Sequence, residues 1–353
     1  MEVIVDATIK ARNEHIFNEV CQVLKERNYV VRIGRVPGKP KSSYRKAFKG
    51  VPCVEEILSK KTKLMVIWWT KRGVWNKYTK VPKVILFKGL LPNTWMLDKG
   101  LLSHSVLVDL FPGVLSNCFD GQCQEWASNY RDNIVKCNIS RRQQPDKTEM
   151  NLPKDFVFLP MQYSKDFSIK AHCPYSYEYF MEKVAKFCSR NNLELVVKHH
   201  PDILNNPKKR EWRTKEFNYV NSLLKKFKKK LKSRITVQGG SIHDLLCKCK
   251  FMVGMNTMTH MDAIINGNIS FHCGTSPFMN SGAVVHDNDI NRGLNDCMNM
   301  FPHDKDKIIR HQKALIYYLY NNYSILFPGS MISKYNNIEK IGYFWNNYAG
   351  IKL

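Results

Sequence analysis

The chain has 353 residues, of which 44% are hydrophobic and 12% aromatic, and a formal net charge of +25. That is enough apolar material for two domain cores, and it excludes an intrinsically disordered chain. No apolar run reaches the roughly 18 residues of a membrane-spanning helix, and the positive excess either serves solubility or calls for an anionic partner such as nucleic acid, an anionic membrane surface or a phosphorylated substrate.

The N-terminus, MEVIVDATIKARNEH, reads as a first strand over 3–6 rather than a secretory signal. Ile16, Phe17, Val20, Val23 and Leu24 are spaced for one face of a helix, and a strand over 29–33 completes a βαβ-style opening. The stretch GRVPGKPKSSYRKAFKG, residues 34–50, is rich in Gly, Pro, Ser and basic residues and reads as a mobile loop. A short helix over 54–59 and strands over 64–69 and 83–87 follow. The polar, proline-bearing segment 138–154 reads as the linker between domains.

The second half is more regular. Strands are expected over 156–159, 193–200, 235–238, 251–255 and 269–272, and helices over 176–190, 241–250, 258–267 and 305–321. Nearly all-apolar strands alternating with helices imply a parallel sheet buried on both faces. The densest basic run, LLKKFKKKLKSR at 223–234, reads as an amphipathic helix with Leu223, Leu224, Phe227 and Leu231 inward. Its lysines form either a plain solvated face or an anionic docking surface. Eleven cysteines are scattered; Cys118 with Cys123 and Cys247 with Cys249 lack a second pair that would complete a zinc site. The odd count and absent signal favour reduced thiols in a cytosol.

In parallel α/β sheets ligands sit beyond the carboxyl ends of the strands, and several expected strand ends here are polar. One carries Gln162 and Tyr163, the next reads VVKHHP, another leads through two glycines to Ser241, and another to Asn256 and Thr257. Ser241 with Asp244 three residues on is a helix-start signature. Helix starts at Ser241 and near Thr257 offer free N–H groups to an anion, or are simply capped. Strand alternation puts Lys198 and His200 on one side and His199 on the other, and Pro201 keeps His200 extended. Lys198 and His200 together fit a phosphate. Asp262, in the first turns of its helix, fits ribose hydroxyls or complements the helix dipole.

FVFLPMQYSKD, VVKHHP, SIHDLL and MVGMNTMTHMDAIINGNISFHCGTSPF, in that order, resemble the C-terminal domain of capsular-polysaccharide-type glycosyltransferases, including Kdo transferases. They resemble, more distantly, sialyltransferases with a His-Pro motif. The likeness covers about 155–280. KVILFKGLLPNTWMLDKG, residues 83–100, is similar to the family's N-terminal motif at Gly89, Pro92, Asp98 and Gly100, but Lys88 stands where a glutamate is expected.

What the resemblance implies is a GT-B fold: α/β, with two Rossmann-like domains facing a central cleft. The expected divisions are 1–145 for the acceptor domain, 146–325 for the nucleotide-sugar domain, and 326–353 for a tail packing back towards the first. The implied activity is metal-independent transfer of a sugar from a CMP-, UDP- or GDP-linked donor to a glycan or glycolipid hydroxyl, with no cofactor, in the cytoplasm or peripherally at an anionic membrane. His200 and Lys198 would stabilise the departing phosphate, Ser241 and Thr257 would assist, and Gln162, Asn256 and Asp262 would complete the nucleotide site. Asp98, or next Asp6, would replace the missing glutamate as general base. A CDP-polyol (glycerol phosphate) transferase is the alternative. No helix-turn-helix, zinc-finger or RNP pattern supports a nucleic-acid-binding protein.

Overall fold

The computed structural model describes residues 2–26, 28–35, 49–68, 81–98, 105, 107–147, 149–164, 166–201, 211–231, 234–326 and 340–341. Most of the basic loop 34–50, and Gly100, fall outside them. The chain divides into two compact units, one of residues 1–106 with 319–353, the other of residues 107–318. The divisions therefore lie at 106/107 and 318/319, rather than at the expected 145/146 and 325/326.

The first unit is built on a six-stranded sheet in the order β12-β5-β4-β3-β1-β2. Its strands are β1 (Glu2–Asp6), β2 (Val30–Gly34), β3 (Thr62–Trp68), β4 (Lys83–Lys88), β5 (Thr94–Asp98) and β12 (Ile325–Leu326). Strands β1 to β4 run parallel, whereas β4/β5 and β5/β12 are antiparallel. Ile4, Met65, Ile67 and Ile85 bury one face as a cluster. Between β1 and β2 run α1 (Ala7–Arg12) and α2 (Glu14–Glu26), and α2 buries Ile16, Phe17, Val20, Val23 and Leu24, as its spacing requires. A single turn, α3 (Val54–Ile57), precedes β3.

The motif around Gly89 makes a tight hairpin between β4 and β5. Gly89 N–H donates to Thr94 O at 2.8 Å, and Thr94 Oγ1 donates to Leu91 O at 2.9 Å. A Cβ on residue 89 would collide with Thr94 Oγ1, so the glycine is there for close approach. Lys88, the last residue of β4, is exposed and pairs with Trp95.

The second unit opens with α4 (Leu107–Val114), a 3₁₀ turn, and α5 (Gly121–Lys136), none of which the sequence periodicity announced. Its sheet is parallel throughout, in the order β11-β10-β9-β6-β7-β8. These strands are β6 (Phe156–Pro160), β7 (Glu194–Lys198), β8 (Ile235–Val237), β9 (Phe251–Gly254), β10 (Ser270–His272) and β11 (Val285–His286). The helices are α6 (Phe167–His172), α7 (Tyr177–Arg190), α8 (Glu211–Leu231), α9 (Ile242–Lys248), α10 (Thr259–Asn266), α11 (Ile290–Met298) and α12 (Pro302–Tyr318).

Period two sorts the strand residues onto two buried faces. Val157, Leu159, Leu195, Val197, Val253 and Phe271 join residues of α7, α8 and α11. Phe156, Phe158, Val196 and Met252 join Ile242, Leu245 and Leu246 of α9 and Ala263 of α10. The basic run belongs to a helix longer than expected, α8, which buries Val220, Leu223, Leu224 and Phe227 and leaves Lys225, Lys226, Lys228, Lys229 and Lys230 exposed. Two of these lysines pair across to α7, Lys226 with Glu178 at 3.0 Å and Lys230 with Glu182 at 3.3 Å. No helix among the described residues is long and apolar enough to cross a membrane.

Candidate functional site

The site is the set of carboxyl ends of β9, β6 and β7. In the parallel register, Phe158 faces Met252 on one side and Val196 on the other, and Pro160 faces Lys198. Gln162, His200 and Asn256 each follow by two residues the last residues of β6, β7 and β9, namely Pro160, Lys198 and Gly254. Alternation within β7 puts Lys198, in step with Val196, on the face that carries α9 and α10. Met161 N–H donates to Lys198 O at 2.8 Å, extending the pairing beyond the strands.

His199 goes to the opposite face, as strand alternation demands. It is buried, its ring lies 4.8 Å from that of Phe217 in α8, and burial lowers its proton affinity against a hydrogen bond with Asn221. His200 is half-buried and tilts against the Tyr163 ring at 4.6 Å. Ser164, the next residue, is tied to the Glu216 carboxylate of α8 through both its N–H and its hydroxyl, at 2.6 and 2.9 Å.

Lys198 is only 5% exposed. Its Nζ donates to Gln144 Oε1 at 3.0 Å and to Gly240 O at 2.5 Å. Burial lowers its pKa to about 8, against the pull of Asp262 and Asp244. Two acceptors match the two N–H bonds of a neutral amine. The third hydrogen of the ammonium form has no hydrogen-bond partner among the described residues, which is the hydrogen an anion would take.

The segment after α5 makes the other wall. Gln144 Oε1 also accepts from Ile242 N–H at 3.1 Å, at the start of α9. Asn138 Oδ1 accepts from the Ser241 hydroxyl. Ile139 O accepts from His243 Nε2 at 2.9 Å, a tautomer fixed by the 2.8 Å bond that Asn266 Nδ2 donates to His243 Nδ1. Asp262 is buried, which raises its pKa; Ser140, His243, Arg141 and Lys198 oppose that rise. Arg141 in turn has its pKa lowered to about 10 by burial, with Asp262 opposing. Residues 138–144, read from sequence as a linker, thus form a strap that supplies partners to Lys198, Ser241 and Asp262. A polar stretch looks the same in sequence whether water or a buried helix start satisfies it, so no local signal could have found the strap.

Ser241 caps α9 in the ordinary way, accepting from His243 N–H at 3.1 Å. Thr257 Oγ1 accepts from Thr259 N–H at 3.3 Å, just before α10, whose N-cap, Met258, offers no side-chain bond. Asn256 Nδ2 donates to Ser168 O at 2.6 Å, and its Oδ1 is buried without a partner, as is Gln162 Oε1. The two candidate carboxylates of the first unit have local duties. Asp98, fully buried, accepts from the Ser105 and Tyr323 hydroxyls, and Asp6 caps α1 through Thr8 N–H at 2.8 Å.

Sequence reasoning also passed over a histidine group on this sheet. His272 and His286 are in-register neighbours on β10 and β11, with ring centroids 5.3 Å apart, and His260 of α10 lies 4.8 Å from His272. Burial and its two histidine neighbours hold His272 neutral. Neither these histidines nor any other group of three or more His, Cys, Asp or Glu among the described residues is arranged to hold a metal ion. A cavity of about 410 Å³ lies elsewhere in the second unit, lined by Phe111, Leu115, Phe119, Ile308 and His311 among others. It contains none of the predicted site residues.

A family model described as capsule polysaccharide biosynthesis protein matches residues 118–298, just over half of the chain and including every strand end above. No curated protein matches at the sequence level. Among solved structures, Thermosulfurimonas dismutans KpsC, a β-Kdo 2,7-transferase, is 16% identical, with 97% of this chain and 99% of that chain covered and a TM-score of 0.52. The β-Kdo 2,4-transferase of the same KpsC is 15% identical, with 89% of each chain covered and a TM-score of 0.52. At such identity the likeness is one of fold: α/β, with two domains each built on a largely parallel sheet.

Proposed function

Because the chain belongs to the capsule polysaccharide biosynthesis protein family, we propose that it is a glycosyltransferase that moves a sugar from a nucleotide-activated donor to a hydroxyl of a glycan or glycolipid. The observation that carries this reading is the placement of Lys198 and His200 together at the carboxyl end of β7 in a parallel sheet, where such folds take their ligands. The fold shared with KpsC supports it.

In this reading the bond between the sugar's anomeric carbon and the phosphate oxygen breaks, and negative charge grows on the departing phosphate. Lys198 and His200 meet that charge, Lys198 with its third N–H and His200 as the protonated or donor tautomer, in a site walled from water by the strap. Thr257, at the start of α10, assists. Ser241 and Asp262 hold the strap and the amine in place. The acceptor oxygen forms the new bond to the anomeric carbon as its hydroxyl proton passes to a general base, for which Asp98 is the candidate. The chemistry needs no metal in this scheme, the cations being side chains.

A thermal-shift panel of CMP, UMP, UDP and GDP tests the reading, run on the wild type and on His200→Ala. The wild type is expected to be stabilised by one nucleotide of the panel and the variant to respond less. No response from the wild type, or an identical response from His200→Ala, refutes it.

A further inference from the structure

Two features of the strand-end row are not explained by phosphate binding. Asn256 is 4% exposed and Gln162 9%. Each presents a carboxamide oxygen, Asn256 Oδ1 and Gln162 Oε1, that is buried and accepts no hydrogen bond. The orientation of Asn256 is fixed, because its Nδ2 donates to Ser168 O at 2.6 Å, so the oxygen is the end left over. Residues 162 and 256 each follow by two residues the ends of β6 and β9, which are neighbours in the sheet. Folding has therefore put two acceptors without donors at the ends of neighbouring strands, where a ligand is expected. Buried polar atoms are almost always satisfied, and an acceptor left alone is a standing cost that a ligand donor removes.

A phosphate cannot fill this role. Its oxygens are acceptors at neutral pH and are repelled by two carbonyl oxygens. A cation is disfavoured too, because neither side chain carries charge and Lys198 ends β7, the neighbour of β6 in the sheet. We propose that Gln162 and Asn256 form a subsite, separate from the phosphate contacts, that accepts hydrogen bonds from a neutral donor-bearing group of the ligand. Two sources share that chemistry: the hydroxyls of a sugar ring, and the exocyclic amine of a base. The inference rests on reading these strand ends as a nucleotide-sugar site. It adds that the row recognises the neutral part of the ligand while Lys198 and His200 take the anion.

The test is calorimetric titration of the wild type, Gln162→Met and Asn256→Ala with CMP, UMP, ribose 5-phosphate and inorganic pyrophosphate. Each variant is expected to lose about tenfold in affinity for CMP, the worth of one buried hydrogen bond, with pyrophosphate affinity unchanged. An equal loss for UMP and ribose 5-phosphate assigns the donor to sugar hydroxyls, and a loss confined to CMP assigns it to the base amine. Gln162→Met has a second readout. It replaces an orphaned buried oxygen by a thioether of similar shape, so the unliganded variant is expected to melt no lower than the wild type, which a merely structural glutamine would not allow. The proposal is overturned if pyrophosphate binding weakens as much as CMP binding, if neither variant loses affinity, or if Gln162→Met is clearly destabilised. A wild type that binds none of the four probes sinks the underlying reading as well, which separates the two failures.

Discussion

Replacing Lys198 by methionine removes a buried amine whose proton affinity is set by its surroundings, and the consequence is a change in how stability depends on pH. The folded-state pKa of Lys198 is lowered by burial to about 8, from the 10.5 of a solvated lysine. Below pH 8 the amine is protonated in both the folded and the unfolded chain, and the folded state bears the full cost of the buried charge, about 3 kcal/mol at 1.36 kcal/mol per pKa unit. Between 8 and 10.5 the unfolded chain binds more proton than the folded one, so stability rises with pH and the cost is lifted. Integrated from pH 7 to pH 9.5, the wild type gains about 2 kcal/mol from this one group. Lys198→Met lacks that gain. It also leaves Gly240 O without its side-chain donor and Gln144 Oε1 with only the Ile242 N–H, which costs about 1–3 kcal/mol where water does not reach. The two effects nearly cancel at pH 7, and the variant falls behind as the pH rises.

Scanning calorimetry of both proteins at pH 7 and pH 9.5 reads the result in the transition of the second unit. At the scale usual for a unit of 150–250 residues, about 2–4 °C per kcal/mol, the gap between variant and wild type should widen by about 4–8 °C between the two pH values. Lys340 has its pKa lowered to about 8 as well, but it is present in both proteins and cancels. Parallel pH dependences, with no widening, would show that Lys198 titrates as an ordinary solvated lysine and that the closed strap is wrong.

CMP bound against Lys198 should hold its proton on, so wild-type affinity should fall about 30-fold between pH 7 and 9.5 as the free amine deprotonates, while titration of Lys198→Met gives a flat profile. Gly267→Ala should lower stability by about 2–4 kcal/mol in calorimetry, because Gly267 ends α10 at φ +68° and a Cβ there would displace Arg131, whose Nε donates to Ile265 O at 2.9 Å. Ser241→Ala should cost about 1–2 kcal/mol by the same measurement, since the hydroxyl both caps α9 and donates to Asn138. Asp98→Asn should abolish sugar transfer while leaving CMP affinity unchanged in titration; transfer that survives intact takes the base role away from Asp98.

The sequence by itself determined the elements whose burial is periodic. Strand β7 and the helix starts at Ser241 and near Thr257 could be placed from apolar runs and capping residues, because those signals act within a few residues. Alternation along β7 was enough to send His199 towards α8 and Lys198 and His200 to the other face. Hydrophobic spacing also fixed α2. It could not show α5, whose moderate amphipathicity is masked by polar residues, nor the full length of α8, whose first turns lack an apolar stripe. Tertiary structure alone decided the partners. Gln144 sits 54 residues from Lys198 and 98 from Ile242, and nothing local distinguishes a glutamine that solvates a buried amine from one that faces water. Likewise, bringing Asn256, Gln162 and His200 to the ends of three adjoining strands needed a sheet order, β9-β6-β7, that the chain order does not show. Burial then turned two of those three residues from ordinary polar side chains into acceptors without donors, because a group's need for a partner is set by whether water can reach it.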